Sequence, residues 1–445
     1  MDWLLALLAL FGVISMYCVF RPRSARVRSA PWASFAIAVH TTELPWMRLA
    51  LQVPLTLLLV LCGALGSMLG VIALLLLMAS WLGVLWCLRC SLDSGGTVED
   101  ALQAGLGADY RQAIAPRLAA GLRAAPVFAD WRHPFAMKRP GVEVIRGISY
   151  APGGVRQTLD IYRPAVIPPQ GCPVLLQIHG GAWVIGHKAQ QALPLMWLLA
   201  SKGWICVSVN YRLSPSVGFP THLEDCKRAL AWVRRHGAGY GMDTGFVAVT
   251  GGSAGGHLAA LMGLTANRPE LQRDDPGVDT SVQACVPFYG VYDFLTRYDQ
   301  HPNGAVIRGF LEDRVMHATP EQDPALWDLA SPVAQIHEDA PPFMLLHGEL
   351  DSLAPIADAR TFVQRLRRTS RNPVVFVELP GAEHGFDFMH TPRTENAIDA
   401  VHRFLEWVRS RHEDALASSA GAPRVQDAAA VSGNSAQGVT VWARS

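Results

Sequence analysis

Ser253 stands in the stretch "VAVTGGSAGGHLAA", with Gly251 and Gly252 before it and Gly255 and Gly256 just beyond Ala254. Four glycines around one hydroxyl carry an entropic cost that packing alone does not explain. A serine hydroxyl is a weak nucleophile near neutral pH. It needs a base to take its proton, and the base needs a carboxylate to orient it. Both follow downstream: "HGELDSLAP" offers Glu349 and Asp351, and "LPGAEHGFDF" offers His384 between Gly381 and Gly385. Asp351 is the preferred acid because it lies further into its loop, ahead of Pro355 at the start of a helix; Glu349 is the alternative. A third requirement is backbone N–H groups where negative charge develops. "LLQIHGGAWVIG" supplies a flexible loop, His179-Gly180-Gly181-Ala182-Trp183. The amides of Gly181, Ala182 and Ala254 are expected to converge on one oxygen, with His179 holding the loop in place.

These residues do chemistry only if the fold brings them together. Short apolar runs fit strands at 174–178, 205–211, 246–250, 282–288, 343–346 and 374–379. Helical stretches at 223–236, 254–266, 356–368 and 394–411 fall between and after them, the order of a parallel sheet with crossover helices. "GVEVIRGISYA" and "TLDIYRP" read as a preceding hairpin. Ser253 then sits on a strand-to-helix turn, the setting a G-x-S-x-G nucleophile elbow needs. Gly251 and Gly255 let the strand and the helix approach closely. Open α/β sheets place their sites at this C-terminal edge. The interruption at 294–340 is expected to add a cap over the pocket.

The motifs "HGGAW", "SVNYRLSP", "GGSAGG", "LLHGELDSLAP" and "GAEHGF", in this order, resemble the hormone-sensitive-lipase-like branch of the α/β-hydrolase carboxylesterases over residues 141–412. The resemblance implies an α/β-hydrolase fold and cofactor-free hydrolysis of carboxylic esters, usually of short to medium acyl chains. It implies Ser253, Asp351 and His384 as the triad. Ala182 stands where the family usually has a third glycine: the amide is kept, and the added methyl is expected to narrow the acyl pocket. An amidase or peptidase uses the same triad. A non-catalytic hydrolase fold used for binding typically lacks a triad member, and here all three are present.

The 445 residues carry 38 basic and 37 acidic side chains, a net charge of +1, which gives a nucleic-acid partner no electrostatic support. Half the residues (50%) are hydrophobic and the mean hydropathy is +0.19. The apolar excess collects near the N-terminus, where residues 3–20 and 49–88 contain no charge. A bilayer crossing takes about 20 such residues. Three transmembrane helices are therefore expected near 3–20, 49–66 and 70–88, and Gly66 and Gly70 have the small-xxx-small spacing of packed membrane helices. Arg21, Arg23, Arg26, Arg28 and Arg48 lie between the first two runs. The positive-inside rule puts that connection, and the domain after Arg89, in the cytoplasm. A cleaved signal peptide at 1–20 is the alternative and would face the domain outward, but its basic n-region is missing.

Residues 1–90 thus read as a membrane anchor, 91–140 as a linker contributing to a cap, 141–412 as the catalytic domain and 413–445 as a disordered tail. No H-E-x-x-H, paired C-x-x-C or G-x-G-x-x-G marks a metal or dinucleotide site, so neither metal nor cofactor is expected. The lone C-x-x-C of Cys87 and Cys90 has no second pair. The remaining cysteines read as small buried hydrophobes in a reducing compartment. The expected partners are a small-molecule or lipid ester and a membrane.

Overall fold

The structure, a computed structural model, describes residues 1–21, 30–298 and 304–419. Arg23, Arg26 and Arg28, on which the expected orientation leans, lie outside these residues, as does the tail from residue 420 onward; residues 413–419, expected to begin that disordered tail, are instead the last described turns of the helix Pro392–Ser419.

Among the described residues, four helices come first: α1 (Asp2–Phe20), α2 (Ala30–Glu43), α3 (Pro45–Leu61) and α4 (Met68–Leu106). α1 and α4 are each long and apolar enough to cross a membrane. α3, at 17 residues, qualifies only together with α2, in a pair bent by 88°. The expected straight span at 49–66 is therefore a shorter helix with a side arm. The break falls at Leu44, because Pro45 has no N–H to continue a helix and its ring disfavours helical backbone before it.

Leu7 and Leu10 of α1, and Leu75 and Leu82 of α4, are exposed, the inverse of a helix that packs in water. Small residues line the inner contact instead. A Cβ on Gly12 would come within 2.6 Å of Ser80 Oγ, and one on Gly83 within 2.3 Å of Met16 Sδ. Gly66 and Gly70 do not make this contact. Gly66 lies in the turn, and Gly70 packs on the Ala64 carbonyl. Asp2 meets Ser67 at one end and Phe20 meets Trp86 at the other, so α1 and α4 run parallel. Gln52 of α3 meets Trp81, and Leu59 clusters with Leu5 and Ala73, so α3 runs antiparallel to both.

α4 does not end with its apolar run. It continues past Arg89 to Leu106, and Val98 and Leu102 are fully buried in the core of the following domain. Residues 91–140, expected as linker and cap, pack against the helix Pro392–Ser419. Arg123 pairs with Glu395 at 2.7 Å and Asp399 at 3.2 Å, and the Ala115 N–H donates to Ser410 Oγ at 2.9 Å. The short α5 (Pro116–Ala119) and α6 (Phe128–Trp131) belong to this segment.

The domain then runs β1 (Val142–Ser149), β2 (Thr158–Pro164), β3 (Cys172–Ile178), α7 (Leu193–Ser201), β4 (Ile205–Val209), α8 (Thr221–His236), β5 (Met242–Gly252), α9 (Ala254–Leu264) and β6 (Ala284–Phe288). α10 (Gly304–Phe310), α11 (Pro324–Leu329), β7 (Phe343–Gly348), α12 (Ile356–Thr369), β8 (Val374–Leu379) and α13 (Pro392–Ser419) complete it. One sheet holds the strands in the order β1-β2-β4-β3-β5-β6-β7-β8. β1–β2 and β2–β4 are antiparallel, and every later pairing is parallel. α8, α9 and α12 cover one face, while α7, α13 and the end of α4 cover the other. β3, β4 and β6 are buried at every residue, as strands covered on both faces must be. This is the α/β-hydrolase fold.

Candidate active site

Ser253 occupies the turn between β5 and α9 with φ 58° and ψ −122°, a conformation that strains an L-residue. The flanking glycines allow it. A Cβ on Gly251 would meet the Gly255 carbonyl oxygen at 2.4 Å, and one on Gly255 would meet the Ile178 carbonyl oxygen at 2.1 Å. β3, β5 and α9 thus close to backbone contact around Ser253, whose own N–H donates to the Phe288 carbonyl at 3.0 Å.

The loop after β3 winds through three left-handed residues, Gly181 (φ 115°), Ala182 (51°) and Trp183 (62°). On one side the Gly180 N–H donates to Gln191 Oε1 at 2.6 Å. On the other, Val184 and Ile185 both donate to the Gly181 carbonyl at 3.0 Å. Among the described residues, nothing accepts from the amides of Gly181, Ala182 or Ala254. Free backbone donors are what an oxyanion site requires. His179 is buried, stacks on Tyr211 with ring centroids 4.4 Å apart, and bonds the Gly180 carbonyl through Nδ1 at 2.7 Å. Burial holds its imidazole down to about 4, so it is neutral at pH 7.

His384 follows β8. Its Nδ1 lies 2.8 Å from Asp351 Oδ2. An ionised carboxylate only accepts, so Nδ1 carries the hydrogen and Nε2 is left as an acceptor. Asp351 Oδ1 accepts from the N–H groups of Leu353 and Ala354 at 2.9 and 2.7 Å, and His347 Nε2 lies 3.3 Å from Oδ2. Burial alone would raise this carboxyl. His384 and His347 outweigh burial and hold it well below the usual carboxylate range. Glu349 is exposed and accepts from the Gly381 N–H at 3.1 Å, so it is Asp351 that meets the histidine.

Several residues around this arrangement have no role assigned from the sequence. Tyr289 lies 4.5 Å from His384 between ring centroids, and a Cβ on Gly252 would meet its hydroxyl at 2.8 Å, so it borders both the Ser253 turn and the histidine. Its hydroxyl bonds Asp387. Glu383, beside Asp351, accepts from the N–H groups of His384 and Ser352 at 2.8 and 2.7 Å. Burial, and then the Asp351 charge, push its carboxyl well above the usual range. The insertion expected as a cap reaches this edge: Phe294 stacks on His257 at 4.5 Å and meets Trp183 at 5.1 Å.

The N-terminal helices touch the same loops. Phe35 of α2 stands edge-on to His384 at 6.0 Å. Leu350, next to Asp351, packs on a cluster of Cys18, Val19, Ala38 and Cys87. A Cβ on Gly381 would meet Cys90 and Trp86 of α4 at 3.1 and 3.2 Å. Among the described residues, no group of three or more His, Cys, Asp or Glu is placed to hold a metal ion.

A family model described as BD-FAE matches residues 159–366. The chain is 41% identical over 401 residues to the probable carboxylic ester hydrolase LipM of Mycobacterium tuberculosis, which spans 87% of this chain and 89% of that protein. It is 45% identical over 273 residues to esterase LipQ of the same organism, across 61% of this chain and 64% of LipQ. Among solved structures, esterase B from Lactobacillus rhamnosis is similar in fold, with a TM-score of 0.55 at 24% identity over 72% of this chain and 98% of that one. The chain is a carboxylic ester hydrolase and belongs to the hormone-sensitive-lipase-like family of α/β-hydrolases.

Proposed function

We propose that the protein is a membrane-anchored serine esterase that works through an acyl-enzyme on Ser253, with His384 as base and Asp351 as its orienting acid. The observation that carries this reading is the His384 Nδ1–Asp351 bond, which commits one ring nitrogen and leaves Nε2 to act on a hydroxyl. Ser253 Oγ attacks the ester carbonyl while Nε2 takes its proton. The oxygen that gains charge is held by the amides of Gly181, Ala182 and Ala254. As the tetrahedral species collapses, the C–O bond breaks and the alcohol leaves with the proton from His384. Water, deprotonated by the same nitrogen, then attacks the acyl-enzyme and releases the acid.

α1, α3 and α4 serve as the anchor. Parallel α1 and α4 with α3 reversed is the arrangement that three crossings demand, and the catalytic domain is read on the cytoplasmic side with Arg21 and Arg48. A fluorophosphonate probe should label Ser253 alone. Ser253→Ala should lose the label and at least two decades of ester hydrolysis, and Asp351→Asn roughly four decades through the wrong histidine tautomer. Ordinary turnover by Ser253→Ala would overturn the reading. Release of the enzyme from membranes by alkaline carbonate would remove the anchor.

A further inference from the structure

Val13, Ile14 and Tyr17 of α1 face Ser34 and Ile37 of α2 across a groove of about 560 Å³. That volume lies within the roughly 300–1,000 Å³ of small-molecule sites. The groove is bounded by α1, one of the two long apolar helices, and by α2, the side arm that leaves α3 at 88°.

The groove lies close to the site already described. Ser34 and Ile37 line it, and Phe35, on the same turn of α2, stands edge-on to His384. A helix with its side chains is about 10–12 Å across, so α2 alone separates the groove from the imidazole. At the base of the same wall, Ile37 joins Leu350 around Cys18 and Ala38, next to Asp351 in the chain. A small water-soluble ester has no need of apolar surface this far from Ser253, whereas the chain of a lipid has.

We propose that this groove holds the alkyl chain of the substrate, so that the enzyme takes long-chain lipid esters sideways from the bilayer, between α1 and α2, to Ser253. The proposal rests on the reading of Ser253 as nucleophile and of α1 as a membrane helix. The chain bends around α2 at Phe35 to bring the carbonyl to the serine, while its far end stays against Val13 and Ile37. The cleavage itself is the hydrolysis written above.

The full-length enzyme in mixed micelles tests this with p-nitrophenyl acetate and p-nitrophenyl palmitate, with rates taken per site titrated by a short-chain fluorophosphonate. Ile37→Trp and Val13→Trp fill the groove from opposite walls. Each should lower the palmitate-to-acetate ratio of kcat/KM about tenfold or more. An unchanged ratio in folded, titratable variants overturns the groove and leaves Ser253 standing; the space is then filled by bulk lipid or a neighbouring helix. A wild-type enzyme that is labelled at no serine and cleaves neither ester overturns the underlying reading instead. Because tryptophan can prevent the anchor from folding, a palmitoyl phosphonate with a diazirine at its chain end is also photolysed on wild-type enzyme. Cross-links should fall at 13–18 and 33–37. Cross-links confined to the domain after residue 141 overturn the proposal.

Discussion

The indole N–H of Trp183 donates to Nδ1 of His257 at 3.2 Å, while Nε2 of that ring bonds the Ala330 carbonyl at 2.7 Å. One imidazole thus ties together the loop after β3, the helix behind Ser253 and the 294–340 insertion. With Nδ1 accepting, Nε2 carries the hydrogen, and burial holds the ring down to about 3, so it stays neutral. Trp183→Phe keeps the ring but leaves a buried acceptor unpaired, at about 1–3 kcal/mol. The variant should melt earlier and lose kcat on every ester, with little change in chain-length preference. A melt matching wild type would show that the bond does not hold the loop.

Ala182 sits at φ 51°, where a side chain costs roughly 1–2 kcal/mol. Ala182→Gly should therefore fold at least as well and keep its amide donor. With the amide in the proposed oxyanion site, removing the Ala182 methyl is worth about 1–3 kcal/mol of discrimination. kcat/KM measured across an acyl series should shift towards bulkier groups. A uniform fall would leave Ala182 as a stiffener of the loop and nothing more.

Asp358 accepts from the Tyr292 N–H at 2.7 Å, yet burial pushes its carboxyl up from 3.8 to about 7. Between these values the folded protein keeps a proton that the unfolded chain has released. This contribution is complete below about pH 4 and is lost as pH rises through about 7, a loss on the order of a few kcal/mol. Asp358→Asn should flatten that dependence. Thermal melts between pH 5 and 8 check it, and a wild-type Tm that rises relative to the variant over this window would refute it.

Glu43, at the end of α2, is fully buried against Arg393 at the start of α13, and its other oxygen accepts from Thr391 Oγ1 at 3.2 Å. Arg393→Ala leaves a buried charge without its partner and should cost about 3–5 kcal/mol. Glu43→Gln combined with Arg393→Met should recover much of that loss. Melts of the detergent-solubilised enzyme separate the two cases; equal losses would mean that packing, not charge, governs the junction.

The parallel strands were legible because each is a short apolar run between turn signals, and the glycines around Ser253 announced a tight turn. β8 matches its expected bounds residue for residue. α7 is not legible in the sequence because "LPLMWLLAS" is apolar on every side and buried almost throughout, so it shows no helical period. The apolar run that marks α4 stops at Arg89, whereas helix formation depends on backbone bonds that the polar residues beyond continue to make. The pairing of Trp183 with His257, and of Phe35 with His384, joins residues far apart in the chain, and no local pattern encodes it. The bend at Pro45 was readable in principle, since a proline stands in the middle of otherwise helical sequence.

α4 is a single helix of 39 residues, roughly 58 Å long at 1.5 Å per residue. Under the proposed anchoring of its first half in a bilayer, and with its last turns in the domain core, it works as a mast rather than a tether. A continuous helix leaves no flexible joint between the two, so on that reading the height and heading of the catalytic body are set by residue count. One alanine inserted before Arg89 would turn the whole body by about 100° about that axis. His384 would then be carried away from Phe35 of α2, in an enzyme whose every proposed catalytic residue is intact.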